Sequence, residues 1–299
     1  MILPFQAALT YAQGAAQQQT PPSMAQQQPV PSQQPIPAAP PETPLNTSDG
    51  QLSIQLFYWL TSAQPDLLGG AGNVGPYLGD LRYPGRPRPA PGAVISMPVG
   101  RNSTLRFSYF RIQGDGNTFA PSNLTLFNTD FSPGNYLVTS YNLQNVKISY
   151  DFLSYPYPPN PSRFRLKTLW EVQYTTIQSS IDAPLVPITY DANGNEIPTT
   201  GTGTRWFIYP SFGLAIEKAV SSHFRFEARA SGFAFPHHDV IWDADASAVY
   251  RKGRYEVALG ARAFHLKTSP QNPQYLAATF PGAYVALRYY PKWPPGKGR

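Results

Sequence analysis

The sequence predicts an all-β protein whose strands close into a barrel across a membrane, and three observations lead to this fold class. Polar and apolar residues alternate along segments such as His223–Ala234, and a period of two places them on opposite faces of a strand. The polar face of that segment carries Arg225, Glu227 and Arg229, charges that a soluble core excludes unless they are paired. No run of about 18 apolar residues marks a transmembrane helix, so a membrane-crossing chain of this kind must be a closed barrel.

Composition narrows the classes of function. The net charge is +6, only 13% of the residues are charged, and the basic residues form no cluster, so nucleic-acid binding is not predicted. The chain contains no Cys, which excludes disulfides and thiolate metal sites, and no cofactor is predicted. The 19 Tyr and 17 Phe suit a protein whose aromatic rings lie at membrane interfaces.

The first fifty residues differ in composition from the rest of the chain. Residues 1–16 are apolar and end in small residues but lack a basic start. We interpret them as a truncated secretory signal peptide, with an ordinary disordered N-terminus as the alternative. Residues 17–50 are rich in Pro and Gln and are predicted to be a disordered linker, because this composition cannot form a core.

The first three predicted strands follow this linker. Gln51–Thr61 is apolar at every second position from residue 52 to residue 60, and it opens the barrel. After a long Gly- and Pro-rich connection, Ala93–Val99 and Ser103–Ile112 are joined by the short turn Gly100–Asn102. The period of two predicts that each of these segments is a strand with one polar and one apolar face.

The fourth and fifth strands are the longest. Asn135–Leu153 alternates clearly in its second half, but its apolar positions change phase in the first half, so we expect a β-bulge near Leu143–Asn145. Arg163–Ser180 has the clearest alternation of all. The loop after it, Ile181–Gly203, contains Asp191–Asn195, whose Asn-Gly pair predicts a hairpin tip.

Five further strands complete a barrel of about ten, within a range of roughly eight to twelve. They are Thr204–Lys218, His223–Ala234, Asp239–Arg251, Tyr255–Thr268 and Pro281–Tyr290. The barrel is thus assigned to residues 51–293, with a basic Pro/Gly tail at residues 294–299. The connections alternate between short turns and long loops, and the long ones are Ser62–Gly92, Gln113–Gly134, Ile181–Gly203 and Ser269–Phe280.

With this alternation, loop asymmetry and aromatic content, Gln51 to Tyr290 resembles the Gram-negative outer-membrane β-barrel proteins, the family of small porin-like barrels. The resemblance implies a monomer in the outer membrane, with short turns, both termini and the Pro/Gln linker in the periplasm. It also implies contact with outer-membrane lipid and with the barrel-assembly machinery during biogenesis. Such barrels often end on an aromatic residue, whereas Trp293 is followed here by a Pro-rich tail.

Residues on the two faces of the strands are the candidate functional residues. The charged residues predicted to line the lumen are Arg106, Lys147, Asp151, Arg163, Arg165, Lys167, Glu171, Glu217, Arg225, Glu227, Arg229, Asp243, Asp245, Glu256, Arg262 and Arg288. The residues predicted to face lipid are Phe164, Leu166, Trp170, Val172, Tyr174, Trp206, Ile208, Phe212, Phe224, Phe226, Trp242, Tyr250, Val257 and Leu259.

The charged lumen admits two interpretations. It forms either a narrow, porin-like channel for small polar or charged solutes, or a structural envelope barrel whose lumen is closed by salt bridges. Barrels of about eight strands are filled by their side chains and open channels are typical at about sixteen, so a closed or very narrow lumen is favoured.

Two alternatives belong to other classes. A lipid hydrolase at the rim needs one of His237, His238 or His265 to meet a serine and an acid, with Ser231, Ser269 and Asp239 as candidates. A metal site at His237, His238 and Asp239 is disfavoured, because adjacent residues do not converge on one ion. A soluble β-sandwich binding module would instead bury the large residues Phe164, Trp170, Trp206, Phe212 and Trp242. No enzymatic activity is predicted.

Overall fold

The computed structural model describes most of the predicted barrel. The described residues are 50–61, 66–69, 80–82, 88–100, 102–127, 129–156, 163–234, 239–268 and 274–292, with side chains left out at 66–69, 80–82 and 274–276. The predicted signal peptide, residues 17–49 of the linker and the tail lie outside this set, as do His237, His238 and Ser269. In the described part of the chain, no helix is long and apolar enough to cross a membrane.

Ten long antiparallel strands close into a barrel, as predicted. The strands of the described residues, in chain order, are β1 Ser53–Thr61, β2 Asp66–Gly69, β3 Asp80–Arg82, β4 Arg88–Val99, β5 Ser103–Phe119, β6 Leu124–Leu126, β7 Thr129–Phe131, β8 Tyr136–Tyr155, β9 Phe164–Asp182, β10 Thr200–Ala219, β11 Phe224–Ala234, β12 Val240–Lys252, β13 Tyr255–Lys267 and β14 Gln274–Tyr289. The ten long strands, β1, β4, β5 and β8 to β14, pair in chain order, and β14 pairs back onto β1, which closes the barrel.

The four remaining strands are short and belong to predicted loops. β2 and β3 form a hairpin that continues the sheet from β14. β6 and β7 form a separate two-stranded sheet. We call the end of the barrel with these hairpins the loop end, and the end with the short connections the turn end.

Several strands extend further toward the loop end than the sequence indicated. β5 runs to Phe119 rather than Ile112, and it pairs without interruption with β8 from Ser103↔Phe152 to Phe119↔Tyr136. β4, β10 and β14 likewise begin earlier than predicted, at Arg88, Thr200 and Gln274. The extensions of β5 and β10 read as loops because they are rich in Gly and polar residues, and that of β4 because it is rich in Pro. The hydrogen-bonded ladder with the neighbouring strands nevertheless continues through them.

The predicted bulge near Leu143–Asn145 is wrong. Burial alternates without a break in this part of β8, so that Leu143, Asn145 and Lys147 all face the interior, and the pairing with β9 is irregular only between Leu153 and Tyr155. What changes along β8 is the polarity of the interior rather than the phase of the strand. A shift from charged to apolar inward residues imitated the sequence signature of a bulge.

The outward face of the barrel carries an apolar belt. Trp206 is 64% exposed and Trp170 57% exposed, so the β-sandwich alternative, which buries both, is wrong. On β9 the belt runs from Phe164 to Tyr174, and the ten steps between these residues span about 33 Å along the strand, or about 25 Å at a tilt near 40°. That height matches the apolar band of membrane-spanning barrels.

The remaining residues predicted to face lipid lie in the same belt. Each of them is exposed or partly exposed: Phe164, Leu166, Val172, Tyr174, Ile208, Phe212, Phe224, Phe226, Trp242, Tyr250, Val257 and Leu259.

Candidate functional site

The turn-end half of the interior is filled by a buried group of ions, which we call the turn-end cluster. It consists of Lys167, Arg225, Arg288, Glu217, Glu227 and Glu256. Arg225 is fully buried, donates two hydrogen bonds of 2.7 and 2.6 Å to the carboxylate of Glu256, and also pairs with Glu227 at 2.7 Å. Arg288 bridges the same two carboxylates at 3.0 and 3.1 Å.

A second group of ions, the central cluster, lies nearer the middle of the barrel. It consists of Arg106, Lys147, Arg229, Arg262, Asp151, Glu171, Asp243 and Asp245. Lys147 lies 2.9 Å from Asp243 and 3.3 Å from Glu171. Arg229 lies 2.7 Å from Asp151, and Arg262 lies 2.7 Å from Asp243. These contacts cross the lumen and join strands far apart in the chain.

Acids and bases are nearly balanced in the two clusters. Three bases face three acids in the turn-end cluster, where Arg251 also lies 3.6 Å from Glu256, and four bases lie with four acids in the central cluster. Burying an ion costs several kcal/mol unless it is paired, and every member of the clusters except Asp245 forms an ion pair with another member. Most charges of the lumen are therefore engaged with a partner rather than available to a passing ion.

Fourteen of the sixteen predicted lumen charges belong to these clusters. Of the other two, Arg165 is partly buried on β9, and Arg163 is exposed one residue before β9 begins. The assignment of Arg163 to the buried lumen is therefore incorrect, because its side chain is exposed at the rim of the turn end, although its backbone carbonyl accepts a hydrogen bond from the amide of Ala219.

Apolar rings fill the interior on the loop-end side of the ions. We call Phe57, Trp59, Phe110, Phe264 and Phe280 the aromatic plug. Ring centroids are 5.7 Å apart for Trp59 and Phe110, 5.2 Å for Phe110 and Phe264, and 6.5 Å for Phe264 and Phe280. The first two pairs are edge-to-face and the third is stacked, and aromatic pairs contribute about 0.5–1.5 kcal/mol each beyond the burial of their surface.

Arg262 joins the ion layer to the plug. Its guanidinium donates to both carboxylate oxygens of Asp243, at 3.0 and 2.7 Å, and lies 4.5 Å from the ring centroid of Phe110 and 5.2 Å from that of Trp59. A cation over aromatic faces at this distance is an attractive contact. The interior is thus packed continuously from salt bridges to rings.

Little open volume remains between these layers. A cavity of about 50 Å³ lies among Gln55, Arg106, Lys147, Asp245 and Tyr284. One water needs roughly 10–15 Å³ of such volume, so the cavity has room for about three to five water molecules. It does not continue through the plug, whose Trp59, Phe110, Phe264 and Phe280 are each at most 1% exposed.

Sequence reasoning missed the plug, although a signal for it was present. Along β13 the inward positions run from Glu256 through Arg262 to Phe264 at even spacing. Following the polar track beyond its last charge would have placed Phe264 inside. The same holds for β1, where Gln55 is followed by Phe57 and Trp59 on one face.

Neither of the two described histidines has a serine and an acid together beside it. His223, in the exposed turn before β11, shares a 2.9 Å hydrogen bond with Ser222 and stacks on Tyr250. His265 stacks on Trp242 with ring centroids 5.4 Å apart and shares a 2.8 Å hydrogen bond with Thr279. Ser231 is buried in the barrel and donates to Glu171 at 2.5 Å. Among the described residues there is also no group of three His, Asp or Glu that could hold a metal ion. Candidate contacts of His237, His238 and Ser269 lie outside the described residues.

Beyond the apolar belt, four strands continue as a polar sheet at the loop end. Register partners on β5, β8, β9 and β10 form rows across the sheet, and the last fully apolar outward row is Tyr109, Val146, Tyr174 and Ile208. Two to four residues further along each strand, the outward side chains are mostly amides and hydroxyls. The first fully polar row comprises Gln113, Asn142, Gln178 and Thr204, and the next comprises Asp115, Ser140, Ser180 and Thr202. We call these two rows the polar sheet face.

A small second core supports this extension from the other face. Leu124, Leu126 and Phe131 from the β6–β7 hairpin pack with Leu137 and Ile181, and all five are at most 2% exposed. Because the hairpin covers the inner face of β8 and β9 with apolar side chains, the extension has its own packed support. It does not depend on lipid contact for its order.

The connection between β9 and β10 also has a defined end. Tyr190 and Glu196 form a bridge, and Asp191 accepts hydrogen bonds of 2.8 Å from the backbone amides of Asn193 and Asn195. Gly194 has a φ of 80°, the left-handed region that glycine adopts without strain. The predicted hairpin tip at Asp191–Asn195 is confirmed.

Comparison with solved structures agrees with this architecture. The outer-membrane protease OmpT of Escherichia coli superimposes with a TM-score of 0.54 at 10% identity, over 83% of this chain and 99% of that chain. The fold is that of a Gram-negative outer-membrane β-barrel. At this identity the likeness shows the fold alone, and the protease activity named for OmpT is a property of that protein.

Other outer-membrane barrels align less well. The attachment invasion locus protein Ail of Yersinia pestis gives a TM-score of 0.31 at 8% identity, over 80% of this chain and 99% of that chain. The toluene transporter TodX of Pseudomonas putida gives 0.32 at 7% identity, over 81% and 90%. No protein-family model matches the chain, and no curated protein matches its sequence.

Proposed function

We propose that this chain is a structural outer-membrane barrel with a closed lumen, and that its work is done at the loop end, on the cell surface. In this proposal the turn end and both termini are periplasmic, and the Pro/Gln segment is a periplasmic linker. The barrel is a monomer surrounded by outer-membrane lipid, and the barrel-assembly machinery is its partner during biogenesis. Short periplasmic turns and long outer loops are the general arrangement of such barrels.

The packing of the interior is the observation that carries this proposal. A channel for small polar solutes requires a continuous water-filled path, whereas ion pairs cross the lumen in both clusters and the rings of the plug are packed together and at most 7% exposed. The alternative of a narrow porin-like channel would require Trp59 and Phe110 to leave their packed positions. The well-supported polar sheet at the loop end, by contrast, is presented without any rearrangement.

Solute flux tests the closed lumen. Proteoliposomes containing the refolded chain should swell no faster in a small sugar such as arabinose than protein-free liposomes do, because no path crosses the plug. Rapid swelling would contradict the proposal. A folded state, shown by altered gel mobility before and after heating, is the control for both results.

Cysteine labelling tests the placement. The chain has no Cys, so each introduced thiol is unique. Asn193→Cys, at the exposed hairpin tip, should react with a membrane-impermeant maleimide in intact cells. Arg254→Cys, in the exposed turn between β12 and β13, should react only after the outer membrane is permeabilised. The opposite pattern would reverse the orientation.

A further inference from the structure

A second cavity, much larger than the one in the lumen, lies at the loop end. Its volume is about 480 Å³, and it is lined by the polar sheet face together with Arg88 and neighbouring residues of β5, β8, β9 and β10. Volumes of 300–1,000 Å³ are typical of small-molecule sites. We infer that this cavity binds an uncharged, polyhydroxylated ligand, a short oligosaccharide. The inference deepens the proposed function and rests on the loop end being exposed at the cell surface.

The chemistry of the lining favours a neutral ligand. Gln113, Asn142 and Gln178 form one row of amides across β5, β8 and β9. Each amide side chain donates through its NH₂ group and accepts through its oxygen, and a sugar hydroxyl group can likewise donate and accept. Asn142 already donates to Gln178 at 3.2 Å and accepts from Arg111 at 2.8 Å, which holds the middle amide in a fixed orientation.

The second row extends the same chemistry. Ser140, Ser180 and Thr202 place hydroxyl groups side by side on β8, β9 and β10. Four strands at a spacing of about 4.8 Å make the two rows roughly 14 Å wide, which suits several sugar units rather than one. The hydrophobic cluster under the hairpin keeps this surface in place.

Charge argues against an ionic ligand. The lining contains one cation and one anion, Arg88 and Asp115, and these form an ion pair with each other. A phosphate or a carboxylate would have to compete for a guanidinium that is already neutralised. An ammonium group would face the same difficulty at Asp115.

Backbone pairing argues against an extended peptide. Peptides that join a sheet do so at an edge, through unpaired main-chain groups. β8 is hydrogen-bonded to β5 on one side and to β9 on the other, and β9 is bonded to β8 and β10. The centre of the polar sheet face therefore presents side chains only, and its ligand must be recognised by them.

The test is an oligosaccharide array probed with the full chain in detergent micelles. The array carries neutral oligosaccharides from bacterial surface polysaccharides and from plant and animal sources, together with acidic ones, and mixed-sequence peptides are probed in parallel. We expect binding to neutral oligosaccharides, and the two groups of neutral probes identify whether the ligand comes from a bacterial surface or from elsewhere. Binding to acidic sugars alone, to peptides alone, or to nothing at millimolar concentration would overturn the inference.

Variants locate the binding. Gln113→Ala/Gln178→Ala should weaken the affinity about tenfold or more, because two hydrogen-bonding groups are removed. Ser180→Trp should abolish binding by filling the cavity without deleting any amide. Asn117→Ala is the matched control, since Asn117 is an exposed amide on β5 outside the cavity lining, and it should bind as the unaltered chain does.

The outcomes separate the site from the proposed function. If both cavity variants bind as well as the control, the site is elsewhere and the inference fails. If the sugar binds as expected but the proteoliposomes swell, the closed-lumen proposal fails while the site stands. If the liposomes stay closed and no neutral sugar binds, only the site is lost.

Discussion

Replacing Arg225 tests whether the barrel interior is held by paired ions. Arg225→Met keeps much of the side-chain length and removes the charge from the turn-end cluster. Its guanidinium contacts Glu256 through two hydrogen bonds and Glu227 through another, and it lies 3.6 Å from Glu217. The cluster then changes from three bases and three acids to two bases and three acids, a net charge of −1.

The expected cost follows from this imbalance. Breaking a buried ion pair by removing one partner typically destabilises a protein by about 3–5 kcal/mol, and Arg225 is fully buried. Arg225→Met/Glu256→Gln restores two bases against two acids. We therefore expect the double variant to be more stable than the sum of its single substitutions predicts, by about 2 kcal/mol, within the usual range for coupled neighbours.

The assay is urea unfolding of the chain in lipid vesicles, followed by tryptophan fluorescence. Arg163→Met is the matched control, since Arg163 is exposed and its loss should change the free energy of unfolding by less than about 0.5 kcal/mol. If Arg225→Met costs no more than this control, or if the double variant shows no coupling, the paired-ion account of the interior is refuted.

Three further predictions concern the belt, the packing and the hairpin tip. Val172→Arg, on the exposed belt, should lower the free energy of unfolding in vesicles by about 2–4 kcal/mol, because a charge there faces lipid. Gly92→Ala should cost about 1–3 kcal/mol in the same assay, since a Cβ at Gly92 would lie 2.1 Å from the ring of Phe57. Hydrogen bonds from Asn195 lower the pKa of Asp191, because they stabilise its charged carboxylate. These hydrogen bonds are therefore fully formed at any pH above the ordinary aspartate pKa. They should persist below about pH 3.9 and break only as the pH falls through the lowered pKa, as followed by the amide chemical shift of Asn195.

Each of these predictions has a result that would contradict it. Asn117 lies beyond the belt, toward the loop end. If Val172→Arg were as stable as Asn117→Arg, Val172 on β9 would not face lipid. Full stability of Gly92→Ala would show that the ring of Phe57 moves freely. An Asn195 amide that titrates at or above the ordinary aspartate pKa would mean that the hydrogen bonds to Asp191 are weak.

Much of the fold was predictable because a membrane barrel repeats one rule on every strand. In β9 the alternation of Trp170, Val172 and Tyr174 with Lys167, Glu171 and Gln173 identifies both the strand and its faces. The number of barrel strands followed from counting such segments. The strand ends did not, because beyond Gln113 the outward side chains meet water and no longer need to be apolar.

The interior was predicted only in part. The sequence identifies which charges point inward, but pairing across the lumen joins residues such as Lys147 and Asp243, 96 positions apart, and local spacing contains no information on that distance. The change from ions to rings along β8 was misread as a bulge for a related reason. Alternation along the sequence shows which residues share one face of a strand. Whether the inward residues are charged or apolar depends on the residues across the lumen, which alternation does not identify.

Glycines opposite aromatic rings were a further feature beyond local reasoning. Phe57 lies over Gly92, Tyr141 over Gly114, and Tyr284 contacts the space above Gly260. Each pair is directly opposite across neighbouring strands. A glycine in a strand often marks a close approach by another group, but the partner is defined only once the register is known.

Single-channel recording tests the central claim, a closed lumen, most directly. The refolded chain is inserted into a planar bilayer and the current is recorded in concentrated KCl, with Arg165→Gln/Lys167→Gln measured beside it. The closed lumen predicts insertion without conductance steps for the unaltered chain. Stable steps whose ion selectivity changes in the Arg165→Gln/Lys167→Gln variant would contradict it and would make the barrel a charged, narrow pore.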